Sequence, residues 1–431
     1  MEDIEIYERY FRQKYDVITK IIDYFIERGE KIAIWGAGLR GRAFLNVFDP
    51  NGAKLTYVFD RDEKKHGMVL DTGHPIVDFQ EYDAEVIIVV NSKLEYKILG
   101  ALKDAKRKAR ILNIDNIILG NLSVNDILFP REFKEGHARE VKIAAVVILY
   151  NPNNDIIKNI RSYAGELDKL YIHDNSMKRN LDIEHQICEL PNTEYDFAGE
   201  NQGLCIPFNR YYKKAIEEGM DWFITFDQDS IAGKDMINKM KAFAGSELCD
   251  KKIGIIAPTV DDSNQGNIQK DNVYTYVDRV IQSGAMHRLD MMQKVGDYDE
   301  NLFIDEVDFE YCARCRSKGY SIIKLNQAVL MHDCQDVDIE RKFVEGKMVY
   351  INKYSPLRYY YRYRNALYCY EKYHETDVIY GLECDNTLKK VELALKYDDD
   401  VEQKVEMIER AKYDFEHHIM GKYREENEYK G

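Results

Sequence analysis

The chain has 431 residues, of which 45% are hydrophobic and 32% charged, and this composition predicts a globular protein of two or three domains. Its formal net charge of −15 argues against nucleic acid as the main partner, because there is no basic excess to neutralise phosphates. The acidic start is not followed by an apolar segment, and no run approaches the roughly 18 apolar residues of a spanning helix. We therefore expect a cytoplasmic location, with any membrane contact being peripheral and at the inner face.

Residues 1–120 have the pattern of a small Rossmann-like α/β domain. Apolar residues at helical spacing predict one amphipathic helix over residues 3–28. Short apolar stretches then alternate with helical ones, and the predicted strands are 31–35, 55–59, 84–90 and 110–114. Such alternation favours a parallel sheet flanked by helices.

A glycine motif follows the first of these strands. Gly36, Gly38 and Gly41 have the spacing G-x-G-x-x-G, and Asp60 ends the next strand about 20 residues later. Glycines at this spacing let the backbone approach a diphosphate at a helix N-terminus, and the acid suits a ribose hydroxyl. The segment after Asp60 resembles the short nucleotide-binding domains found beside sugar-modifying enzymes. Two interpretations stay open: a bound nucleotide or nucleotide-sugar, or a structural or interaction module.

Residues 121–140 break this periodicity. Asn125, Asp126 and Pro130 are turn-forming residues, and a charged run follows them. We therefore expect a linker here, followed by a second α/β domain over residues 141–365.

Polar residues follow three apolar strands of the second domain. They are Tyr150-Asn151 after the first strand, Asp174-Asn175-Ser176 after the second, and Asp227 with Asp229 after the strand 222–226. The carboxyl ends of parallel strands meet at one edge of a sheet, so these three clusters predict a single binding crevice.

Asp227 and Asp229 are separated by one residue. Alternate residues of a strand share a face, so their carboxylates are expected to lie side by side. This position suits a hard cation such as Mg²⁺, which prefers oxygen ligands and keeps coordination positions for phosphates. His332, which follows a later strand, is a further candidate ligand, although a histidine there is more often structural.

An acidic segment lies further along the chain. Asp305, Glu306 and Asp308 are close in sequence, and a helix that begins at Asp305 would make Asp305 and Asp308 neighbours on one face. Like charges this close raise the pKa of a carboxylic acid, which suits a general base. An exposed acidic turn is the alternative.

The remaining candidates lie in a turn and in a basic block. Ser283 and Gly284 form a predicted tight turn before a helix. Arg358 and Arg364 belong to the sequence RYYYRYRN, whose arginines suit phosphates. Residues 366–431 have an acidic helical pattern and are expected to form a helical C-terminal extension, which is a candidate contact for a homo-oligomer.

Together these motifs resemble those of family 2 inverting glycosyltransferases of the GT-A fold, in particular the bacterial rhamnosyltransferase-like branch. The resemblance covers about residues 142–365. In chain order, the motifs that carry it are Tyr150-Asn151-Pro152, Asp174-Asn175-Ser176, Asn201-x-Gly203 with Asn209, Asp227-Gln228-Asp229-Ser230, Phe303–Arg314 and Arg358–Asn365. Arg210 stands where many relatives have glycine.

The resemblance implies a set of roles. Donor contacts fall to Tyr150, Asn151, Asp174, Asn201, Gly203 and Asp227, a Mg²⁺ or Mn²⁺ site to Asp229 with His332, and acceptor or phosphate contacts to Ser283, Gly284, Arg358 and Arg364. Alignment on Arg314 implies that Asp308 is the catalytic base, but Val307 replaces the usual preceding acid, so Asp305 and Glu306 stay alternatives. The implied partners are a nucleotide-sugar donor, with dTDP-L-rhamnose favoured, and a glycan or lipid-linked glycan acceptor.

Two other functions fit parts of the sequence. A nucleotide-binding scaffold of polysaccharide assembly, without transferase activity, fits the N-terminal domain but leaves Asp229 and Asp308 unexplained. An oxidoreductase built on the glycine motif lacks a suitable second catalytic domain.

Overall fold

The computed structural model describes residues 3–91, 95–129, 139–261, 273–332, 339–344, 347–397 and 401–425. The chain falls into two compact units, Met1–Lys134 and Glu135–Gly431. Both units combine a sheet with helices, and the second ends in a helical region, so the expected fold class is confirmed.

The first unit is a parallel sheet flanked by helices. Its helices are α1 (Asp3–Arg12), α2 (Tyr15–Glu27), α3 (Leu39–Phe48), α4 (Glu95–Asp104), α5 (Ile114–Leu119) and α6 (Val124–Leu128). Its strands are β1 (Ile32–Trp35), β2 (Tyr57–Phe59), β3 (Ile76–Val77), β4 (Val86–Val89) and β5 (Arg110–Asn113). They pair in parallel in the order β3-β2-β1-β4-β5, which is a doubly wound arrangement.

The helix predicted over residues 3–28 is in fact two helices. α1 ends at Arg12, Lys14 has a non-helical backbone (φ −127°, ψ 30°), and α2 begins at Tyr15. α1 packs against α3, whereas α2 packs against α6. The amphipathic pattern was therefore right, but the expected continuity was wrong because the two halves cover different partners.

Gly41 brings α3 close to β1. A Cβ atom on Gly41 would overlap the carbonyl group of Gly36. Gly36 itself has φ +105°, a backbone conformation that side chains rarely adopt. One glycine thus makes the turn and the other lets the helix approach the strand.

The second unit is built on a larger mixed sheet. Its strands are β6 (Ile143–Leu149), β7 (Lys169–Asp174), β8 (Thr193–Phe197), β9 (Trp222–Asp227), β10 (Ser230–Ala232), β11 (Ile253–Asp261), β12 (Tyr274–Val277), β13 (Met286–Arg288) and β14 (Ser321–His332), with a separate hairpin of β15 (Ile339–Val344) and β16 (Lys347–Asn352). Its helices are α7 (Asp155–Ala164), α8 (Leu181–Cys188), α9 (Cys205–Glu217), α10 (Met236–Gly245), α11 (Leu289–Val295), α12 (Val307–Ser317), α13 (Pro356–Tyr373), α14 (Val378–Leu395) and α15 (Glu402–Glu416).

The strand order places the predicted polar clusters at one edge. The main path is β10-β14-β11-β13-β9-β6-β7-β8, with β12 beside β14. β9, β6, β7 and β8 are parallel neighbours, so the carboxyl ends of β6, β7 and β9 lie together. β13 runs antiparallel between β9 and β11.

β6 is an interior strand of this sheet, between β9 and β7, and is buried on both faces. The odd-numbered residues of 143–149 belong to one hydrophobic cluster, with α7 and α10, and the even-numbered residues to another, with α9 and α11. A strand covered on both faces requires a continuous apolar run, and this run is what made the strand recognisable in the sequence.

Several element boundaries differ from the sequence-based expectation. α12 begins at Val307 rather than at Asp305, because Asp305 and Glu306 have left-handed backbones. The strands predicted at 322–325 and 329–331 are one strand, β14, with a register shift relative to β11.

Helices lie at the two predicted domain boundaries. The expected linker over 121–140 contains α6, whose first turn is held by a reciprocal pair of hydrogen bonds between Ser123 and Asp126. α13 runs through the boundary expected between residues 365 and 366 and packs against α14 and α15. No helix in the described part of the chain has the length and apolarity needed to cross a bilayer.

Gly41→Ala is expected to destabilise the first unit by about 3 kcal/mol, since the added methyl group overlaps a backbone carbonyl that cannot easily move. Hydrogen exchange of the full chain, read by mass spectrometry, should show faster exchange in peptides from β1 and β4, with the second unit unchanged.

Gly100→Ala is the matched control. Gly100 lies within α4, and a Cβ atom there meets nothing within 4 Å. This substitution is expected to stabilise the helix by about 0.5–1 kcal/mol. Equal protection of the β1 peptides in both variants would contradict the role given to Gly41.

Candidate active site

Gln228, the middle residue of the Asp-Gln-Asp motif, joins the ends of β6 and β9. The N–H group of Tyr150 donates to Gln228 Oε1 at 2.9 Å, and Gln228 Nε2 donates to the carbonyl oxygen of Tyr150 at 3.3 Å. Asn159 on α7 also donates to the carbonyl oxygen of Gln228, at 2.9 Å. The first and third predicted clusters are therefore in direct contact.

The second cluster is buried and contacts the first. The carboxylate of Asp174 accepts hydrogen bonds from the Ser176 N–H group at 2.9 Å and from the Tyr195 hydroxyl at 2.8 Å. Ser176 Oγ accepts from the N–H group of Asn151 at 2.7 Å. Both oxygens of Asp174 thus accept hydrogen bonds within the protein. Asp174 therefore suits holding the loop after β7 in place rather than contacting a ligand directly.

Asn201 and Gly203 form a turn that joins β7 to the acidic segment. Asn201 Oδ1 accepts from the Gly203 N–H group at 3.0 Å, and Asn175 Nδ2 donates to the Gly203 carbonyl at 2.8 Å. Gly203 has φ +72°, and a Cβ atom there would lie 2.6 Å from the carbonyl oxygen of Phe303. The turn needs glycine both for its backbone conformation and for its close approach to residue 303.

Gln282 connects the Asp-Gln-Asp motif to the acidic segment. Its Nε2 donates to Asp227 Oδ1 at 2.6 Å, and its backbone N–H group donates to Asp308 Oδ2 at 3.2 Å. The next residue, Ser283, accepts from the Asp227 N–H group at 3.1 Å and shares a 2.6 Å hydrogen bond with the hydroxyl of Ser230. The carboxylates predicted to contact the donor and to act as the base are therefore held by one residue.

Asp229 and His332 lie on neighbouring strand ends. Ser230, which follows Asp229, is the register partner of His332 in the β10–β14 pair, while the side chain of His332 lies outside the described part of the structure. Beneath the motif, the buried ring of Tyr163 stacks on Phe226 at 4.1 Å. Burial raises the pKa of the Tyr163 hydroxyl, and the charges of both motif carboxylates raise it further.

Over the described residues, no group of three or more His, Cys, Asp or Glu side chains has an arrangement that could hold a metal ion. Mg²⁺ commonly takes only one or two protein carboxylates and completes its shell with water and substrate phosphates. The pair Asp227 and Asp229 therefore fits a divalent cation that is bound together with a nucleotide.

The acidic segment is a strained turn whose first two acids are engaged. Asp305 and Glu306 have φ values of +65° and +61°. Arg358 Nη2 donates to Asp305 Oδ1 at 2.8 Å, and its Nε lies 2.8 Å from Oδ2. The hydroxyl of Tyr380, on α14, donates to Glu306 Oε2 at 2.8 Å. These contacts fix the turn and occupy both alternatives to Asp308.

Asp308 is the second residue of α12 and is partly buried. Besides the N–H group of Gln282, it accepts from the N–H group of Phe309 at 2.9 Å. Burial, and then the negative charge of Glu306, raise the pKa of the Asp308 carboxyl to about 7, and the backbone hydrogen bonds only partly offset this. A carboxylate with a pKa near neutrality can take up a proton under ordinary conditions.

Other residues predicted to contact acceptor or phosphate are more buried than expected. Arg364 is fully buried, and its guanidinium donates to the Tyr360 hydroxyl at 2.9 Å and to the Gly421 carbonyl at 2.8 Å. Gly284 has φ +76°, and a Cβ atom there would lie 2.9 Å from Pro258. The buried positions of Ser283, Gly284 and Arg364 suit structural roles, whereas Arg358 stays partly exposed beside Asp305.

A cleft opens next to the first two clusters. It has a volume of about 580 Å³ and is lined by Asn151, Pro152 and the segment 178–182. Lys178 and Arg179 bring positive charge, but Asp182 also lines the cleft and Arg179 forms a two-point ion pair with Glu184. An open, polar cleft of this size suits the phosphates or the base of a nucleotide.

In the first unit, Asp60 lies against the glycine loop. Its Oδ2 accepts from the Ala37 N–H group at 2.8 Å and lies 3.2 Å from Lys65 Nζ, and its Oδ1 accepts from the N–H group of Asp62 at 2.9 Å. The acid predicted to bind ribose is thus engaged with the loop itself. Nucleotide binding at Gly36, Gly38, Gly41 and Asp60 stays a prediction.

Sequence reasoning missed Gln282, Tyr380 and Lys178. Gln282 immediately precedes the predicted turn at Ser283, so its position was a usable signal. Tyr380 lies in the region interpreted only as a helical extension, and nothing in its sequence neighbourhood marks it.

Comparisons with known proteins give a matching family model and a sequence relative. Residues 1–110 match the family model described as "C-methyltransferase C-terminal domain". The dTDP-rhamnosyl transferase RfbF of Shigella flexneri is 28% identical over 255 residues, which is 54% of this chain and 81% of that protein.

Solved structures are more distant. The S. aureus TarS fragment 1–349 has a TM-score of 0.40 at 14% identity, over 64% of this chain and 80% of that one. GalNAc-T7 with UDP, GalNAc and Mn²⁺ has a TM-score of 0.39 at 12% identity, over 77% and 68%. The resemblance drawn from the ordered motifs agrees with the sequence relative. The chain is a glycosyltransferase, and its sequence is similar to that of a dTDP-rhamnosyl transferase.

Proposed function

We propose that this chain transfers a sugar from a nucleotide-sugar donor to a hydroxyl group of a bacterial surface glycan, free or lipid-linked, with inversion at the anomeric carbon. The setting of Asp308 carries the proposal. It is the acid of the turn left with backbone partners only among the described hydrogen bonds, and its pKa of about 7 suits a base.

The proposed reaction is a direct displacement. The acceptor oxygen forms a bond to the anomeric carbon as the bond from that carbon to the diphosphate oxygen breaks. Asp308 takes the acceptor proton, and the nucleoside diphosphate leaves with the electron pair of the broken bond. Because Asp227 and Asp308 share Gln282, the carboxylate proposed to contact the donor and the proposed base are held in a fixed relation before substrate binds.

dTDP-L-rhamnose is the first donor to test, because the relative from Shigella flexneri is named a dTDP-rhamnosyl transferase. Asn151 lines the cleft and Tyr150 directly precedes it, and both are proposed to contact the nucleotide. Asp174, Asn201 and Gly203 are proposed to shape the loops around it.

Asp229, with Asp227 and His332 beside it, is proposed to hold Mg²⁺ or Mn²⁺. When bound, a divalent cation offsets the negative charge that develops on the leaving diphosphate. Arg358 borders the turn of Asp305 and Glu306 and is proposed to contact acceptor or phosphate.

Peripheral membrane contact and homo-oligomer formation stay predictions.

A donor panel assayed by mass spectrometry tests the proposal, and the anomeric configuration of the product, read by NMR, tests inversion. A chain that binds donors but neither transfers nor hydrolyses any of them would favour the alternative, a non-catalytic scaffold of polysaccharide assembly.

Asp308→Asn is expected to lower kcat by about 10³-fold or more while leaving donor affinity within about threefold, because only proton removal is lost. Turnover and calorimetric donor binding give the two readouts. Asp290→Asn is the matched control, since Asp290 is exposed and is the second residue of α11, as Asp308 is of α12. Near-normal turnover of Asp308→Asn would refute the assignment.

The rate should depend on pH in a defined direction. Asp308 must be ionised to accept a proton, and its pKa lies near 7, so kcat/KM is expected to fall about tenfold for each pH unit below that value. Initial rates between pH 5.5 and 8.5 provide the measurement. A flat profile over this range would show that another group removes the proton.

Asp229→Ala is expected to abolish the metal dependence of donor binding and to lower donor affinity by about tenfold or more in the presence of Mn²⁺. Calorimetric titrations of dTDP-L-rhamnose with and without the ion give the comparison. Asp290→Ala should bind as the wild type does. Unchanged metal-dependent affinity in Asp229→Ala would remove Asp229 from the metal site.

A further inference from the structure

Three groups of Gln282 form hydrogen bonds within the protein. Its side chain donates to Asp227, its N–H group donates to Asp308, and its carbonyl oxygen accepts from the Thr225 hydroxyl at 2.6 Å. The residue is only 9% exposed. Its side chain is therefore held in one orientation at the point where the donor and the base are proposed to meet.

The amide oxygen of Gln282 has no assigned role within the protein. Oε1 is buried and accepts no hydrogen bond from any residue that the structure describes. The Asp227 carboxylate accepts and does not donate, so the 2.6 Å contact fixes which end of the amide is nitrogen. Because both ends share one carbon atom, Oε1 lies beside the Asp227 carboxylate. Buried acceptors are normally paired, so a lone one at a ligand site indicates a group of the ligand.

We propose that Gln282 Oε1 accepts a hydrogen bond from a hydroxyl group of the donor sugar, and that Gln282 is a specificity-determining residue of the donor site. The inference rests on the proposed function, since it requires a nucleotide-sugar beside Asp227. A neutral amide oxygen accepts hydrogen bonds, so it binds groups that carry an O–H or N–H. The oxygens of an ionised diphosphate only accept hydrogen bonds, so they give this atom nothing to bind. The diphosphate is thereby excluded, and a cation at Asp227, which an amide oxygen also binds, would serve dTDP and dTDP-L-rhamnose alike.

The test compares the full chain's affinity for dTDP-L-rhamnose with its affinity for dTDP, both measured by calorimetry with Mn²⁺. Gln282→Met keeps the length of the side chain but removes the amide. It is expected to weaken binding of dTDP-L-rhamnose by about tenfold and to change binding of dTDP by less than about threefold. Gln282→Met also loses the contact to Asp227, but that loss acts on both probes and leaves their ratio unchanged.

Gln282→Glu is the second variant. It keeps an oxygen acceptor at the same position and adds a negative charge, which repels dTDP more than dTDP-L-rhamnose because dTDP carries one more negative charge. The preference for dTDP-L-rhamnose over dTDP should therefore be kept or increased, whereas Gln282→Met lowers it. Gln293→Met, at an exposed position of α11, is the surface control and should leave both affinities unchanged. Thermal unfolding of each variant checks that it is folded.

Equal losses for the two probes in Gln282→Met, or no loss for either, overturn this inference and leave the proposed function standing. The same holds if Gln282→Glu lowers the preference for dTDP-L-rhamnose as strongly as Gln282→Met does. A wild-type chain that does not bind dTDP-L-rhamnose overturns the proposed donor, and this inference with it. The two failures are thus told apart by the wild-type titration alone.

Discussion

Asp305 and Glu306 are consecutive residues with left-handed backbones, and the position of Asp308 depends on how this turn is held. Each such residue costs about 1–3 kcal/mol, so the turn persists only where its surroundings determine it. Arg358 binds the first side chain and Tyr380 the second. Since α12 begins directly after the turn, these two contacts from the C-terminal helices decide where the carboxyl of Asp308 stands.

The rest of the site is joined to this turn by hydrogen bonds between loops. Asn175 donates a hydrogen bond to the carbonyl of Gly203, whose Cα lies against Phe303, and Gln228 joins the ends of β6 and β9. The polar groups named here at this edge of the sheet therefore form hydrogen bonds with one another. A site whose dipoles are already fixed needs little rearrangement when charge develops on a substrate, which is the main advantage of such preorganisation.

Much of this could be predicted because the relevant signals are local. Apolar runs that end in polar residues place Asp174, Asp227 and Asp229 at strand ends, and the sheet order brings those ends together. Contacts between distant parts of the chain could not be predicted in this way: Gln282 is 55 residues from Asp227, and Tyr380 is 74 from Glu306. The arginine block differs in another way: Arg364 was expected to contact acceptor or phosphate, whereas packing among tyrosines buries it.

α13 has a consequence for how this enzyme can be recombined with others. The helix begins within the motif block, contributes Arg358 to the strained turn, and continues without a break into the region that packs on α14 and α15. A chimera joined within this helix would combine the strained turn of one protein with the C-terminal contacts to that turn from another protein. Exchange of side chains at the strand ends, by contrast, leaves the turn and both of its contacts within one protein.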